Sequence, residues 1–237
     1  MRILIACEFS GIVREAFAKK GWDAWSCDLL PTEIPSEKHI QDDVLKHLED
    51  GWDMMIAHPP CTYLSNAGAR FLYPKGKLNI ERYQKGIVAK EFFLRLLEAP
   101  INKICVENPV SSRVFEMPLF SQEIQPFQFG HPFTKKTRLW LKNLPRLVST
   151  NIVYAGIKSL LPSNTGGKKK GQKFQFESTK IAGNWFNKGG NQRQLNRSKT
   201  FKGVAEAMAH QWGTLNGGDK LGIPPNSKEL GILPTIL

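Results

Sequence analysis

Three stretches of this chain carry side chains suited to chemistry, and each closes an apolar run: "HPPC" at residues 58–61, "ENP" at 107–109 and "FSG" at 9–11. Two successive prolines fix φ and withdraw backbone donors, so a strand reaching Pro59-Pro60 leaves its sheet as a stiff loop and holds Cys61 in a set direction. A thiol held this way suits nucleophilic attack. The plain alternative is a buried cysteine at a strand end, since free cysteine is among the most buried residue types. The turn at Phe9, Ser10 and Gly11 lets backbone come close to a ligand. Asp28, about twenty residues on, is placed to accept hydrogen bonds from a ribose, as acidic residues do in Rossmann-type sites. Asp43 either serves an adenine amino group or caps the helix beginning near Val44. No GxGxxG pattern is present, so a nucleoside cofactor fits better than a phosphate-bearing dinucleotide.

These residues need a frame that gathers them, and hydrophobic periodicity supplies one. "RILIAC", "DAWSCDLL", "WDMMIAH", "INKICVEN" and "TRLWLKN" read as strands; "IVREAFAKKG", "DVLKHLEDG" and "YQKGIVAKEFFLRLLEA" read as helices. Strands alternating with helices predict an α/β fold, a Rossmann-like, doubly wound and mostly parallel sheet. Ligands of such sheets bind beyond the carboxyl ends of the strands. The turn at 9–11, Asp28, Asp43, the Pro59-Pro60-Cys61 loop and Glu107-Asn108-Pro109 all fall there.

The chain has 237 residues, enough for one large domain with a small appendage. Its four cysteines, Cys7, Cys27, Cys61 and Cys105, show no CxxC pair or zinc-type spacing. That pattern predicts a reduced, cytoplasmic compartment and no bound metal. No apolar stretch has the length of a membrane span or the form of a signal peptide. The net charge is +12, and residues 146–199 hold eleven basic side chains against the single acid Glu177, which is +10 of that excess. Phe174, Phe176, Trp185 and Phe186 interleave with the charge. Concentrated ammonium and guanidinium groups with aromatics predict a nucleic-acid surface; a solvated loop around a small aromatic cluster is the alternative.

The order of FSG, Asp28, "DDV", "PPC", "ENP", "TKKTR" and "RSKTFKGVAEAMAHQWG" resembles the sequential motifs of the DNA cytosine-5 methyltransferases, in a small phage-like or orphan form. The resemblance covers residues 1 to about 145 and 197 to 213. It implies a catalytic domain over 1–145, a target recognition insert over 146–196, a motif over 197–215 that returns to the catalytic domain, and a tail over 216–237. It also implies S-adenosylmethionine as cofactor, double-stranded DNA as partner, a monomer, and the cytoplasm of a bacterial or phage-infected cell. Phe9, Ser10, Gly11, Asp28, Leu29, Asp43, Val44, Pro59, Ser198 and Thr200 would then form the cofactor pocket. Lys136, Lys168, Lys169, Lys170, Lys173 and Arg193 would contact DNA.

In the implied mechanism Cys61 adds to carbon 6 of a flipped cytosine and so activates carbon 5. Glu107, as an acid whose pKa burial raises, meets ring nitrogen 3, and Arg138 contacts the base or phosphates. The chain departs from the family pattern at Ala57-His58 before the prolines, at Pro109 after Glu107-Asn108, and at Thr134, Lys136 and Arg138 in place of QxRxR. His58 before Pro-Pro also has the form seen in amino-directed methyltransferases, although Cys61 replaces their aromatic residue. A catalytically silent DNA-binding protein of the same fold, or a related carbon 5 enzyme using another donor or a free nucleotide, are the other readings.

Overall fold

A computed structural model describes residues 1–132, 134–153 and 198–214. The five expected apolar runs form strands β1 (Arg2–Ala6), β2 (Asp23–Cys27), β4 (Met54–Ala57), β5 (Lys103–Pro109) and β7 (Thr137–Lys142). Two short strands, β3 (His39–Ile40) and β6 (Gln122–Ile124), were not legible as apolar runs and complete the sheet. The strand order is β3-β2-β1-β4-β5-β7-β6. β1 through β5 pair in parallel, whereas β7 runs antiparallel to both β5 and β6. The fold is therefore the Rossmann-like, doubly wound and mostly parallel sheet that the sequence predicts. From β1 the chain winds outward through β2 and β3, then returns to lay β4 and β5 on the other side. The order reverses between β1 and β4, which makes their carboxyl ends the switch-point crevice of the sheet.

Strand alternation divides the core into two layers. Ile3, Ile5, Met54, Ile56, Cys105 and Leu139 face helices α1 (Ile12–Ala18) and α4 (Lys202–Gly213). Leu4, Ala6, Met55, Ala57, Ile104, Val106 and Trp140 face α3 (Ile80–Leu97). The central strands are apolar on both faces because both faces are covered. Each fully buried aliphatic side chain contributes about 1.5–3 kcal/mol, so these two layers hold the strand ends in place.

Three element boundaries differ from the periodicity. The helix expected from "DVLKHLEDG" is only a 3-10 turn over Val44–Lys46, because His47 leaves helical geometry and the Trp52 indole donates to its carbonyl. α3 starts three residues before Tyr83, since Asn79 Oδ1 accepts from Arg82 N at 3.0 Å and caps it. A single extra turn, α2 (Ala69–Leu72), follows the Pro59-Pro60-Cys61 loop. α4 packs along α1 and starts at a close contact: a Cβ on Gly203 would lie 1.9 Å from the Phe129 carbonyl oxygen, so only glycine allows this approach.

Candidate active site at the carboxyl edge of the sheet

The β1 turn is organised by a residue that pattern reading passed over. Glu8 is buried, and its Oε1 accepts from Val13 N at 2.6 Å and from Ser10 Oγ at 3.2 Å, while Oε2 accepts from Arg14 N at 3.2 Å. A carboxylate on the first amides of α1 satisfies donors that the helix cannot and complements its dipole. Gly11 stands in the left-handed region at φ 73°, where a Cβ would meet the Arg14 guanidinium at 2.9 Å. The FSG turn is therefore tight and turns at a position that favours glycine.

At the end of β2, Asp28 Oδ1 accepts from Leu30 N at 2.9 Å, and burial raises the pKa of its carboxyl despite that bond. Leu29 beside it is 72% exposed. The loop carrying both is pinned from below by Arg14, which is buried and donates to Ser26 Oγ at 2.9 Å, Thr32 Oγ1 at 3.2 Å and the Ile34 carbonyl at 2.7 Å. Ser26 Oγ in turn meets His39 Nδ1 at 2.8 Å, and His39 Nε2 lies 3.0 Å from the Leu30 carbonyl. Asp43 Oδ1 accepts from Leu45 N at 3.0 Å, so of its two readings the cap is present. Val44 next to it is buried in the α3-side core.

Beyond β4, Pro59 is buried, Pro60 exposed, and Cys61 partly exposed on the loop that follows. Burial pushes the Cys27 thiol up to about 12 and raises those of Cys7 and Cys105 as well, so three of the four cysteines are held as neutral thiols. The Cys61 loop is tied to the end of β5: Ser65 bridges to Ser111, Ser112 N donates to the Leu64 carbonyl, and Asn66 N donates to the Val110 carbonyl, both at 2.8 Å. Asn108 is fully buried and donates to Ser111 Oγ at 2.8 Å, which fixes the turn on the β5 side of this tie.

Glu107 differs from expectation. His58, at the end of β4, places Nδ1 3.3 Å from Glu107 Oε2, and both side chains are nearly buried. Burial alone would raise the Glu107 pKa, but the His58 hydrogen bond and charge, with Lys135 further off, bring it below the ordinary carboxylate value. Burial likewise pulls the His58 pKa down, and the bond and charge of Glu107 outweigh it, so the net shift is upward. Both shifts favour the imidazolium–carboxylate form of the pair, the opposite direction for Glu107 from the one burial without a partner would give.

Arg138 is not brought to Glu107. Antiparallel register sets Glu107 opposite Leu139, and alternation turns Arg138 to the Trp140 face of the sheet. There its guanidinium stacks on Phe120 at 4.3 Å and lies 3.6 Å from Glu123. Lys136 Nζ also meets Glu123, at 3.1 Å. The cation on the Glu107 side is Lys135, which lines a small recess with Glu107, Thr137, Thr200 and Phe201. Sequence spacing missed it because it sits one residue before an expected position and not on the strand.

A second recess is lined by Phe9, Ser10, His58, Ser198, Lys199 and Thr200. The β1 turn and the segment before α4 therefore meet. Lys199 Nζ holds Glu33 at 2.7 Å, and Glu33 N donates to the Phe9 carbonyl at 2.8 Å, closing this side. Thr200 lines both recesses, and its Oγ1 is 3.4 Å from His58 Nδ1. Asp28, Leu29 and Asp43 lie at the neighbouring β2 and β3 ends of the same edge.

Lys168, Lys169, Lys170, Lys173 and Arg193, with most of the insert and the tail from residue 215, lie outside the described residues. Among the described residues no cluster of three or more His, Cys, Asp or Glu side chains is placed to hold a metal. No helix among them is long and apolar enough to cross a membrane. No family model and no curated protein matches the chain. Among solved structures it is similar to one named for a DNA modification methyltransferase encoded within an E. coli prophage, at 15% identity and a TM-score of 0.38, over 60% of this chain and 46% of that one.

Proposed function

We propose that this protein is an S-adenosylmethionine-dependent DNA methyltransferase acting on carbon 5 of cytosine. The observation that carries the reading is the tie between the Cys61 loop and the Glu107 strand end, which holds a thiol-bearing loop and a nearly buried carboxylate at adjoining strand ends of a Rossmann-like sheet. The concentration of positive charge in residues 146–199 supports DNA rather than a free nucleotide, which would not need so wide a basic surface.

The donor set fits the cofactor. Asp28 offers a partly buried carboxylate for ribose hydroxyls, exposed Leu29 beside it an apolar surface for a purine, and the Phe9-Ser10-Gly11 turn a close approach of backbone. Thr200 and Ser198 would close the pocket from the late motif. When bound, S-adenosylmethionine supplies an electrophilic methyl group.

The chain's own residues prepare the base to receive it. Carbon 5 of cytosine is a weak nucleophile until a thiolate adds at carbon 6, and Cys61 is the cysteine carried, partly exposed, on the loop beyond the end of β4. Addition builds negative charge on the ring, which a proton delivered at nitrogen 3 from the Glu107 side relieves. Loss of the carbon 5 proton and expulsion of Cys61 regenerate the enzyme. The base must leave the duplex, at a cost of about a few kcal/mol for unstacking. The engagement of His58 with Glu107 weighs against an amino-directed reaction, which would draw on the polar residue before the prolines.

The test is to incubate duplex DNA with the protein and methyl-labelled S-adenosylmethionine, then identify the labelled nucleoside by mass spectrometry. Label at carbon 5 of deoxycytidine is expected. Label on an exocyclic amine, or none in DNA of mixed sequence, overturns the assignment.

A further inference from the structure

His58 occupies a position that the reaction outlined above does not use. It sits at the end of the central strand β4, between the β1 turn and the end of β5, with its backbone amide held by the Ala6 carbonyl at 2.9 Å. It lines the recess formed with Phe9, Ser10, Ser198 and Lys199, while its partner Glu107 lines the other with Lys135 and Thr137. His58 Nε2 is buried with no hydrogen-bond partner, and Nδ1 points at Glu107 Oε2. A buried imidazole with one idle nitrogen is costly as a purely structural element, because an unmet buried polar group loses its hydration without regaining a partner.

We propose that His58 is the proton partner of Glu107, holding the proton that a bound base must receive and passing it to the carboxylate facing that base. This rests on the reading that Glu107 meets cytosine. The step balances. The Nδ1–H bond of the imidazolium breaks as an O–H bond forms on Glu107, leaving a neutral ring and a neutral carboxyl. The carboxyl then donates to ring nitrogen 3 as Cys61 adds at carbon 6, and the proton returns when Cys61 is expelled. An unpartnered buried glutamate would keep this proton itself, whereas here the carboxylate is stabilised until a base arrives.

The groups that bear on His58 come from each neighbouring element. They are Glu107 on β5, Glu8 in the β1 turn, Lys135 before β7, and the Thr200 hydroxyl before α4, with Cys7 and Lys199 lining the same recess. The two carboxylates favour the imidazolium and Lys135 opposes it. A cationic ligand in the recess beside His58 would also oppose it and drive the proton toward Glu107. The sulfonium of the proposed cofactor is such a cation, so cofactor binding would arm the acid.

Two measurements on the full chain test this. Histidine-selective NMR of the protein without ligands should show His58 titrating above its ordinary value, and Glu107→Gln should lower that titration by about one pH unit or more. A His58 titration that Glu107→Gln leaves in place overturns the pairing, whatever the protein does to DNA. In single-turnover methylation, His58→Gln, folded by its melting curve, should be slower by about 10²-fold with DNA affinity little changed, and the alkaline limb of its pH profile should move. A His58→Gln profile identical to that of the unaltered protein overturns the proton role. If His58 follows Glu107 but the unaltered protein methylates no carbon 5, the pairing stands and the assignment of its proton to cytosine falls with the functional reading.

Discussion

Thr200 Oγ1 lies 3.4 Å from His58 Nδ1, joining the segment before the last helix to the end of the central strand across 142 residues. The same ring nitrogen faces Glu107 Oε2, so one imidazole edge receives a hydroxyl and a carboxylate from two separate elements. The tertiary structure is thus locked at the site by groups that titrate.

Stability should follow that titration within a defined window. The His58 pKa is raised from 6.5, so its share of stability is full below 6.5 and is lost as pH rises through the higher folded value. Glu107 is lowered from 4.5, so its share is present above 4.5 and is lost as pH falls through the lower folded value. Urea unfolding across pH should show a plateau between these limits and a decline on both sides. His58→Gln should flatten the alkaline decline. A decline that survives in this variant would assign it to other groups.

Cys61→Ala should abolish methyl transfer while leaving DNA binding largely intact. 5-Fluorocytosine in the target should trap the unaltered enzyme as a denaturation-resistant complex, because fluorine cannot leave as the carbon 5 proton does. Turnover by Cys61→Ala would move the chemistry away from carbon 6 addition.

Asp28→Ala should weaken S-adenosylmethionine binding by about 1.5–3 kcal/mol, the worth of a charge-assisted bond to the ribose, as calorimetry reads it. Burial raises this carboxyl above 3.8, so affinity should begin to fall on acidification at a higher pH than an ordinary aspartate would give. Unchanged affinity would leave Asp28 as the cap of the Leu30 turn.

The sheet was legible because its central strands are apolar on both faces, and the candidate residues close those strands. β3 and β6 were not, since two and three residues are too short for any period and their pairing is decided by neighbours. Glu107 was legible as a buried acid, but the direction of its pKa shift was not. That depends on His58, 49 positions away, which only the β4–β5 pairing brings near. Arg138 shows a second limit of chain spacing: it lies on β7 beside β5, and strand alternation turns its side chain to the opposite face of the sheet from Glu107.

Arg14 was hidden in a helical run of ordinary appearance, yet it is the anchor of the Asp28 loop. Arg14→Met should cost about 2–4 kcal/mol in urea unfolding, because it removes at once the three bonds of a buried guanidinium to Ser26, Thr32 and the Ile34 carbonyl. It should also weaken cofactor binding more than a surface Arg→Met change such as Arg95→Met, since Asp28 and Leu29 lose their support. A cost below about 0.5 kcal/mol would show that the loop holds itself.

The insert provides the sharpest separation between binding and catalysis. If Lys168, Lys169, Lys170 and Lys173 contact phosphates, each contact removed should reduce the magnitude of the slope of log affinity against log salt by about 0.9, and weaken all duplexes alike. A change at Trp185, Asn184 or Arg193 that touches a base should instead shift which cytosines are modified. Replacing residues 166–173 by a neutral glycine-serine loop isolates the first effect, because it leaves Cys61, His58 and Glu107 untouched. Salt-dependent binding of the variant should then be flatter and weaker while the sites methylated at saturating DNA stay the same. An unaltered slope with unaltered affinity would make this loop a solvated surface and move the DNA contact to cations elsewhere on the protein.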